Sequence, residues 1–320
     1  MRAFAGVVLG LAVTLSAAAA EPPGAGPAAL ACPVLPADNI WHSDVSGLPV
    51  SPRSAAWLSH MAASTTRLHP DFGPSYGAQS VPYGMPITYL TGAHPKVPVT
   101  FAYADESDQV PYPLGPDTQI EGGPDAGGDR HALVLDTSTC TLYETFDTRL
   151  TTTGWTAGSG AVYDLRSDRL RPAGWTSADA AGLPILPGLL RYDEVRAGHV
   201  DHAIRFTTDV TDRRYVWPAR HQAGSLSSTA YPPLGTRFRL KAAFPIASYR
   251  ADTRVVLRAM QSYGLMLADN GSPWFFGGAS DDGWPPAMLD ELKTVPASAF
   301  EAVSVAPLQV WRNSGRARQP

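Results

Sequence analysis

The chain has 320 residues, of which 44% are hydrophobic, and its formal net charge at pH 7 is −4. This acidic balance lacks the basic field with which nucleic-acid binding proteins displace counterions from phosphates, so it argues against a nucleic-acid partner. The length is sufficient for one large folded domain.

The first twenty residues have the pattern of a secretory signal peptide. Arg2 gives a positive start, an apolar run follows from residue 7 to residue 15, and alanines precede Glu21. The apolar run is shorter than the ~20 residues that a membrane-spanning helix needs, and no later segment reaches that length. We therefore expect a secreted, extracellular protein without an integral membrane segment.

Composition divides the rest of the chain into three parts. The segment 21–31 is rich in Pro, Gly and Ala and is predicted to be disordered, and so is a tail from 312 to 320. No repeat or linker interrupts residues 32–311, which indicates a single β-rich domain. The two cysteines, Cys32 and Cys140, are expected to form a disulfide because exported proteins fold in an oxidising compartment.

The predicted elements begin with a helix from Ser51, a favourable N-cap, to about Ser64. The stretch 70–95 is rich in Pro, Gly and Tyr and is predicted to be an ordered loop. Residues 97–103 alternate in polarity as a strand does. Residues 131–136 and 140–146 flank a polar turn and predict a hairpin.

The second half of the chain carries the remaining elements. Strands are predicted at 161–165, 202–207, 214–217 and 237–244, and helices at 190–197, at 252–263 and after Pro286. Asn270-Gly271 predicts a hairpin between 265–268 and 274–276, because both residues accept positive φ. Many short strands and few helices predict a mainly β fold, resembling a β-sandwich or jelly roll with long loops and peripheral helices.

Motifs that identify common enzymes are absent from the sequence. There is no G-x-S-x-G elbow, no H-E-x-x-H, no P-loop and no dinucleotide fingerprint. This excludes the easily recognised hydrolases and cofactor enzymes, and we expect no cofactor. Glycan-cleaving enzymes often have no local motif, so they are not excluded.

Three histidines lie beside arginines at predicted strand ends. They are Arg130-His131, His202 with Arg205, and Arg220-His221. Strand ends from distant segments can meet at one cleft, where histidine moves protons and arginine binds acidic groups. An ion pair at the rim of a sheet is the structural alternative for each pair. Another alternative is a metal bound by His131, His202 and His221, although their spacing gives it no local support.

Hydrolysis of a glycosidic bond usually needs two carboxyl groups. The best-placed candidates are Glu121, Asp129, Asp179, Asp193, Glu194 and Asp269. Among them we expect Asp129 and Asp179 to form the pair, because both lie in loops rich in Gly, Trp and Ser. The alternatives are an ion pair of Asp129 with Arg130 and a helix-start position for Asp179.

Tryptophans near loops are candidates for stacking on sugar rings. The predicted substrate-binding set is Arg130, Arg205, Arg220, Trp175, Trp217 and Trp274. A place in the hydrophobic core is an equally good interpretation of each tryptophan alone.

These observations together predict a secreted carbohydrate-active enzyme that cleaves glycosidic bonds of an extracellular polysaccharide. The predicted catalytic set is Asp129, His131, Asp179, His202 and His221. Three alternatives remain open: a polysaccharide lyase acting on uronic acids, a non-catalytic glycan-binding or surface interaction module, and a histidine-bound metalloprotein.

Several stretches resemble a family of secreted bacterial proteins with no established activity. They are residues 128–131, 176–184, 187–195, 217–221 and 268–271. The resemblance covers most of the chain after the signal peptide. It implies export and no particular reaction, so none of the residue roles above depends on it.

Overall fold

The structure is a computed structural model that describes residues 32–78 and 80–319. The predicted signal peptide, 1–20, and the predicted disordered segment, 21–31, lie outside the described residues. No helix among the described residues is long and apolar enough to cross a membrane.

Fifteen short strands and four α-helices make up the regular structure of these residues. The strands are β1 (His69–Pro70), β2 (Gly73–Tyr76), β3 (Val81–Tyr83), β4 (Ile87–Leu90), β5 (Val99–Phe101), β6 (Ala132–Asp136), β7 (Thr141–Phe146), β8 (Arg149–Thr151), β9 (Gly154–Ala157), β10 (Ser159–Asp164), β11 (Ile204–Thr208), β12 (Arg237–Leu240), β13 (Leu265–Asn270), β14 (Phe275–Phe276) and β15 (Phe300–Val303). The helices are α1 (Ser54–His60), α2 (Tyr192–Ala197), α3 (Ala251–Ser262) and α4 (Pro286–Leu292), with short 3₁₀ turns between elements.

Two larger sheets organise the fold. One has six strands in the order β1-β14-β11-β13-β12-β15, and the other has four in the order β10-β7-β6-β4. A pair, β2-β3, and a three-stranded sheet, β5-β9-β8, complete the set. The pairs β1–β14, β4–β6, β5–β9 and β11–β13 are parallel. The mainly β class is therefore confirmed, and the sheets are mixed rather than antiparallel as in a jelly roll.

One apolar core joins the two larger sheets. Leu133 and Leu142 from the four-stranded sheet belong to the same buried cluster as Phe206 and Leu267 from the six-stranded sheet. Burying each such side chain contributes roughly 1.5–3 kcal/mol, so this shared cluster holds the sheets together.

Helix α3 covers the six-stranded sheet. It follows the predicted range closely, and its apolar residues at helical spacing, Val256 and Met260 among them, are fully buried. Gly264 follows the helix with φ of +73°, and a Cβ there would lie 2.3 Å from the carbonyl oxygen of Phe238. Glycine is required at this position both for its backbone angle and for its close packing.

Local predictions succeed where partners are neighbours in sequence. The predicted hairpin forms as the antiparallel pair β6–β7. The predicted helices at 190–197 and after Pro286 appear as α2 and α4, and Gly198 ends α2 with φ of +91°.

Three local predictions are wrong. The stretch 70–95 contains strands β2, β3 and β4, and residues 214–217 make only an isolated bridge at Tyr215. The Asn270-Gly271 hairpin does not form, because β11 lies between β13 and β14 and pairs with both. The chain turns instead at 272–275, where the Phe275 N–H donates to the carbonyl oxygen of Ser272, and both flanking strands have β11 as their partner.

The C-terminal segment differs from the predicted disordered tail. Ser314 bridges to Arg169, Arg316 to Asn39, and Ala317 is 4% exposed. The polar composition of this segment does not indicate its order, because main-chain hydrogen bonds rather than apolar side chains hold most of it in place.

The disulfide between Cys32 and Cys140 is present, with the Cα atoms 5.4 Å apart. It ties the first described residue to the turn between β6 and β7. A disulfide is consistent with an extracellular location.

Replacing both Cys32 and Cys140 with alanine should lower the free energy of unfolding by roughly 2–4 kcal/mol, because the unfolded chain loses a long covalent loop. Urea unfolding of wild type and variant measures the difference. Reductant should bring the wild type to the variant's stability and leave the variant unchanged. Equal stability of the two oxidised proteins would contradict the prediction.

Candidate functional site

A cavity of about 340 Å³ opens where the two larger sheets approach each other. Phe146 at the end of β7 and Ser159 at the start of β10 line it from one sheet, and Asp269 on β13 lines it from the other. The loop 176–182 contributes Thr176, Ser177, Ala178 and Ala180 to the lining. The cavity therefore collects side chains from segments that are far apart in sequence.

Hydrogen bonds fix the loop 176–182 between the sheets. The Ser159 hydroxyl donates to the carbonyl oxygen of Ser177 at 2.6 Å, and the Ala181 N–H donates to the carbonyl oxygen of Ala268 at 2.8 Å. The Ser177 hydroxyl lies 2.7 Å from the carbonyl oxygens of both Asp179 and Leu183. Both hydroxyl groups thus donate to main-chain carbonyl oxygens of this segment. Neither Ser159 nor Ser177 has a hydrogen bond to a described histidine that would activate it as a nucleophile.

Asp179 is fully buried behind the cavity and is held by Arg205 of β11. Arg205 donates from Nε to Oδ2 at 2.8 Å and from Nη2 to Oδ1 at 2.5 Å, which is a bidentate pair. Burial acts to lower the pKa of Arg205, but the charge and hydrogen bonds of Asp179 outweigh it and raise the pKa. Because Asp179 is 0% exposed and both its oxygens are engaged, it does not contact a substrate directly, contrary to the prediction.

Asp269 is the carboxyl group that lines the cavity next to Asp179. Burial, and then the negative charge of Asp179, raise the pKa of Asp269 well above its ordinary value. Its Oδ2 accepts the Ala180 N–H at 3.0 Å and its Oδ1 accepts the Asn270 N–H at 2.7 Å, which fixes its orientation. A carboxyl group with a raised pKa at the wall of a cavity has the property that a general acid needs.

His221 and Glu106 form a second polar pair in the lining. Nε2 of His221 lies 3.6 Å from Oε2 of Glu106, and Nδ1 lies 2.9 Å from the carbonyl oxygen of Ala180. In the neutral ring Nδ1 carries the proton that is donated to Ala180, which leaves Nε2 as an acceptor. Glu106 also accepts the Thr176 N–H at 3.0 Å. Both side chains are partly exposed and can reach water in the cavity.

Aromatic side chains and one more acid complete the lining. Tyr103 is 58% exposed, Phe146 is half-buried, and Asp129 is exposed. An exposed aromatic face can stack on the apolar face of a sugar ring. Among the described residues that line the cavity there is no arginine or lysine, so its ionisable groups are three carboxyls, His221 and the phenol of Tyr103.

His131 lies behind the loop rather than in the cavity. Its Nδ1 is 2.6 Å from Oε2 of Glu121 and its Nε2 is 3.1 Å from the carbonyl oxygen of Ala178. Burial acts to lower the pKa of His131, but the hydrogen bond and charge of Glu121 raise it to about 9. With both ring nitrogens engaged, a charged His131 supports the loop and is not free to transfer a proton.

Glu144 of β7 is a buried group that the sequence analysis missed. Its carboxylate accepts N–H groups of Ile185 and Leu186 at 2.9–3.0 Å, and burial raises its pKa to about 7. The strand pattern contained a signal, because Glu144 shares the inward face with Leu142. Glu106, in a short 3₁₀ turn, carried no such signal.

Two further predicted site residues lie elsewhere. The ring of His202 contacts the carbonyl oxygen of Ala203 at 2.8 Å and Glu194 at 3.2 Å, beside α2 and away from the cavity lining. Arg130 is buried and donates to the carbonyl oxygens of Thr148, Gly123 and Ala126. The contact of His202 with Glu194 fulfils the structural alternative of an ion pair. Arg130 instead donates to main-chain oxygens and forms no ion pair with another described residue, and neither residue lines the cavity.

The predicted tryptophans separate into three environments. Trp274 is 0% exposed in the core and its Nε1–H donates to the carbonyl oxygen of Met61, so it cannot bind a substrate. Trp175 is half-buried, with its ring 5.4 Å from the guanidinium of Arg171. Trp217 and Arg220 line a different cavity.

The metal alternative is not supported by the arrangement of the three histidines. His131 and His202 direct both ring nitrogens at protein groups, and only His221 lines the cavity. Within 32–78 and 80–319, no group of three or more His, Cys, Asp or Glu residues is arranged to hold a metal ion.

Comparison with known proteins finds no match among family models, curated proteins or solved structures. The function has to be inferred from the cavity itself.

Proposed function

We propose that this chain is a secreted glycoside hydrolase, with Asp269 as the general acid and Glu106, assisted by His221, as the general base. The observation that carries the proposal is the carboxyl group of Asp269 at the cavity wall, whose pKa is raised by burial and by the charge of Asp179, backed by the buried Asp179–Arg205 pair. Export is supported by the signal-like N-terminus and by the disulfide.

In the proposed reaction each of the two carboxyl groups, Asp269 and Glu106, transfers one proton. Asp269 gives its proton to the glycosidic oxygen as the bond from that oxygen to the anomeric carbon breaks. Water bonds to the anomeric carbon and loses a proton to Glu106, which hydrolyses one bond with one water molecule. Tyr103 supplies a face on which the sugar ring stacks.

The cavity favours hydrolysis over elimination at a uronic acid. A lyase needs a positive group, typically an arginine, beside the substrate carboxylate. Arg205 is committed to Asp179, and Arg130 to main-chain carbonyls, and neither lines the cavity. An acidic lining instead suits a neutral sugar at the bond that is cut.

The test is a reducing-end assay of the purified protein on a panel of neutral polysaccharides and chromogenic glycosides. On the best substrate, Glu106→Gln should lower kcat by about 10²-fold or more, because a positioned base typically contributes 10²–10⁴-fold. Asp105→Asn is the matched control, since Asp105 is the exposed neighbour of Glu106 in the same turn, and it should keep wild-type activity.

Three results would overturn the proposal. With a polyuronide as an additional substrate, release of unsaturated products that absorb in the far ultraviolet would indicate elimination. Binding of a glycan without release of sugar would favour the binding-module alternative. Equal activity of Glu106→Gln and Asp105→Asn would remove Glu106 from the mechanism.

A further inference from the structure

A second and larger cavity, of about 650 Å³, lies beside the C-terminal segment. Its ionisable lining comprises four arginines, Arg169, Arg171, Arg220 and Arg312, and one phenol, that of Tyr215. No carboxylate is present among the described residues that line it, although the whole chain has a net charge of −4. Positive charge is therefore concentrated at this cavity, although the chain as a whole is negatively charged.

Arg220 carries a buried charge that no carboxylate neutralises. Its three guanidinium nitrogens donate to neutral oxygens, namely the carbonyl oxygens of Arg171 and Arg312 and the side-chain oxygen of Asn313, at 2.6–2.8 Å. Burial lowers the pKa of Arg220, Tyr215 acts to raise it, and the nearby charge of Arg312 acts to lower it. Arg171, by contrast, is paired with Asp108. An anion beside Arg220 and Arg312 would relieve the repulsion between them.

The exposed arginines of the cavity are free of acidic partners as well. Arg169 and Arg312 are both exposed and form no ion pair with another described residue. Planar guanidinium groups bind carboxylates with two parallel hydrogen bonds. The exposed Arg169 and Arg312 thus offer unused hydrogen-bond donors, and the buried Arg220 carries a charge that no carboxylate neutralises.

Aromatic side chains lie beside these arginines. Trp217 and Tyr215 line the cavity and are half-buried, and Trp311, next to Arg312, is 72% exposed. The indole N–H of Trp217 donates to the carbonyl oxygen of Ser314 at 2.8 Å, which fixes the ring against the C-terminal segment. Flat apolar faces next to guanidinium groups match the two faces of an acidic sugar.

We infer that this cavity binds carboxylate groups of an acidic extracellular polysaccharide, at a site separate from the candidate catalytic cavity. The two sites lie on opposite sides of one stretch of chain. Arg220 lines the arginine cavity, while the next residue, His221, lines the catalytic one. The arginine cavity holds the polymer by its charged sugars, and the acidic cavity receives a neutral sugar.

Isothermal titration of the whole secreted protein with an oligogalacturonate hexamer tests this inference. Maltohexaose serves as the neutral probe and sodium phosphate as the free anion. The oligogalacturonate should bind, and more weakly as salt rises. Arg312→Gln should weaken binding by about 10-fold or more, since a hydrogen bond to a charged group contributes about 1.5–3 kcal/mol.

Arg258→Gln is the matched control, because Arg258 is an exposed arginine on α3 outside the cavity. Asp269→Asn should bind oligogalacturonate as the wild type does, so a failed hydrolase proposal leaves this result intact. Equal binding of maltohexaose, phosphate binding as tight as that of the hexamer, the absence of binding, or equal effects of Arg312→Gln and Arg258→Gln would each overturn the inference.

Discussion

Asp269→Asn should lower kcat for glycoside cleavage by about 10²–10⁴-fold, the usual contribution of a positioned general acid. An amide keeps the size of the side chain but cannot protonate the leaving oxygen. KM should change little, because the loss is confined to the transition state. Steady-state kinetics on the best substrate measures both constants, and a substrate with a good leaving group should be affected least.

The pH dependence of activity is a second test of Asp269 as the general acid. Because the pKa of Asp269 is raised, the wild-type activity should fall only as pH rises through that elevated pKa. Asp179→Asn removes the negative neighbour, so the falling limb should move to lower pH. An unmoved falling limb in a folded Asp179→Asn protein, or wild-type kcat in Asp269→Asn, would remove the acid role of Asp269.

Arg205→Met should lower the free energy of unfolding by about 3–5 kcal/mol, because it leaves the Asp179 carboxylate buried without its partner. The pair is inaccessible, with Asp179 at 0% and Arg205 at 6% exposure. Urea unfolding at neutral pH measures the loss.

The double variant Asp179→Asn with Arg205→Met separates charge from packing. It should recover part of the lost stability, because no uncompensated charge remains. Arg258→Met, on the exposed face of α3, should change stability by less than about 0.5 kcal/mol. If Arg205→Met were as stable as Arg258→Met, the pair would not be holding the site together.

Local patterns in the sequence predicted the elements whose hydrogen bonds are local. The β6–β7 hairpin has a short turn between alternating strands, and α3 has apolar residues at helical spacing. In both, the residues that decide the structure lie within one short window. Periodicity is informative there for that reason.

Strand pairing between distant segments explains why the hairpin at Asn270-Gly271 was predicted wrongly. Asn270-Gly271 has the composition of a hairpin turn, yet β11 enters between its flanks from sixty residues earlier in the chain. Trp274 follows that turn and is drawn into the core instead of facing solvent. A window of sequence does not contain the strand that determines these outcomes.

The sequence named several residues that lie at or behind the candidate cavity. Of the predicted residues, Asp129 and His221 line the cavity, while Arg205 holds Asp179 behind it and His131 contacts the loop 176–182. Their individual roles could not be read from sequence, because burial separates Asp179 and His131 from the cavity while Asp269 stays at its wall. Whether a carboxyl group is buried in an ion pair or lines a cavity depends on contacts between segments that are far apart in sequence.

The pairing of β1 with β14 has a consequence for the order in which the chain can fold. His69 pairs with Phe275, and the bridge between Asn39 and Arg316 joins segments at opposite ends of the described chain. Contacts of such sequence separation form late and slowly. A chain that lacks β14 has no partner for β1 in the six-stranded sheet, so β1 can join that sheet only after residues 275–276 are available.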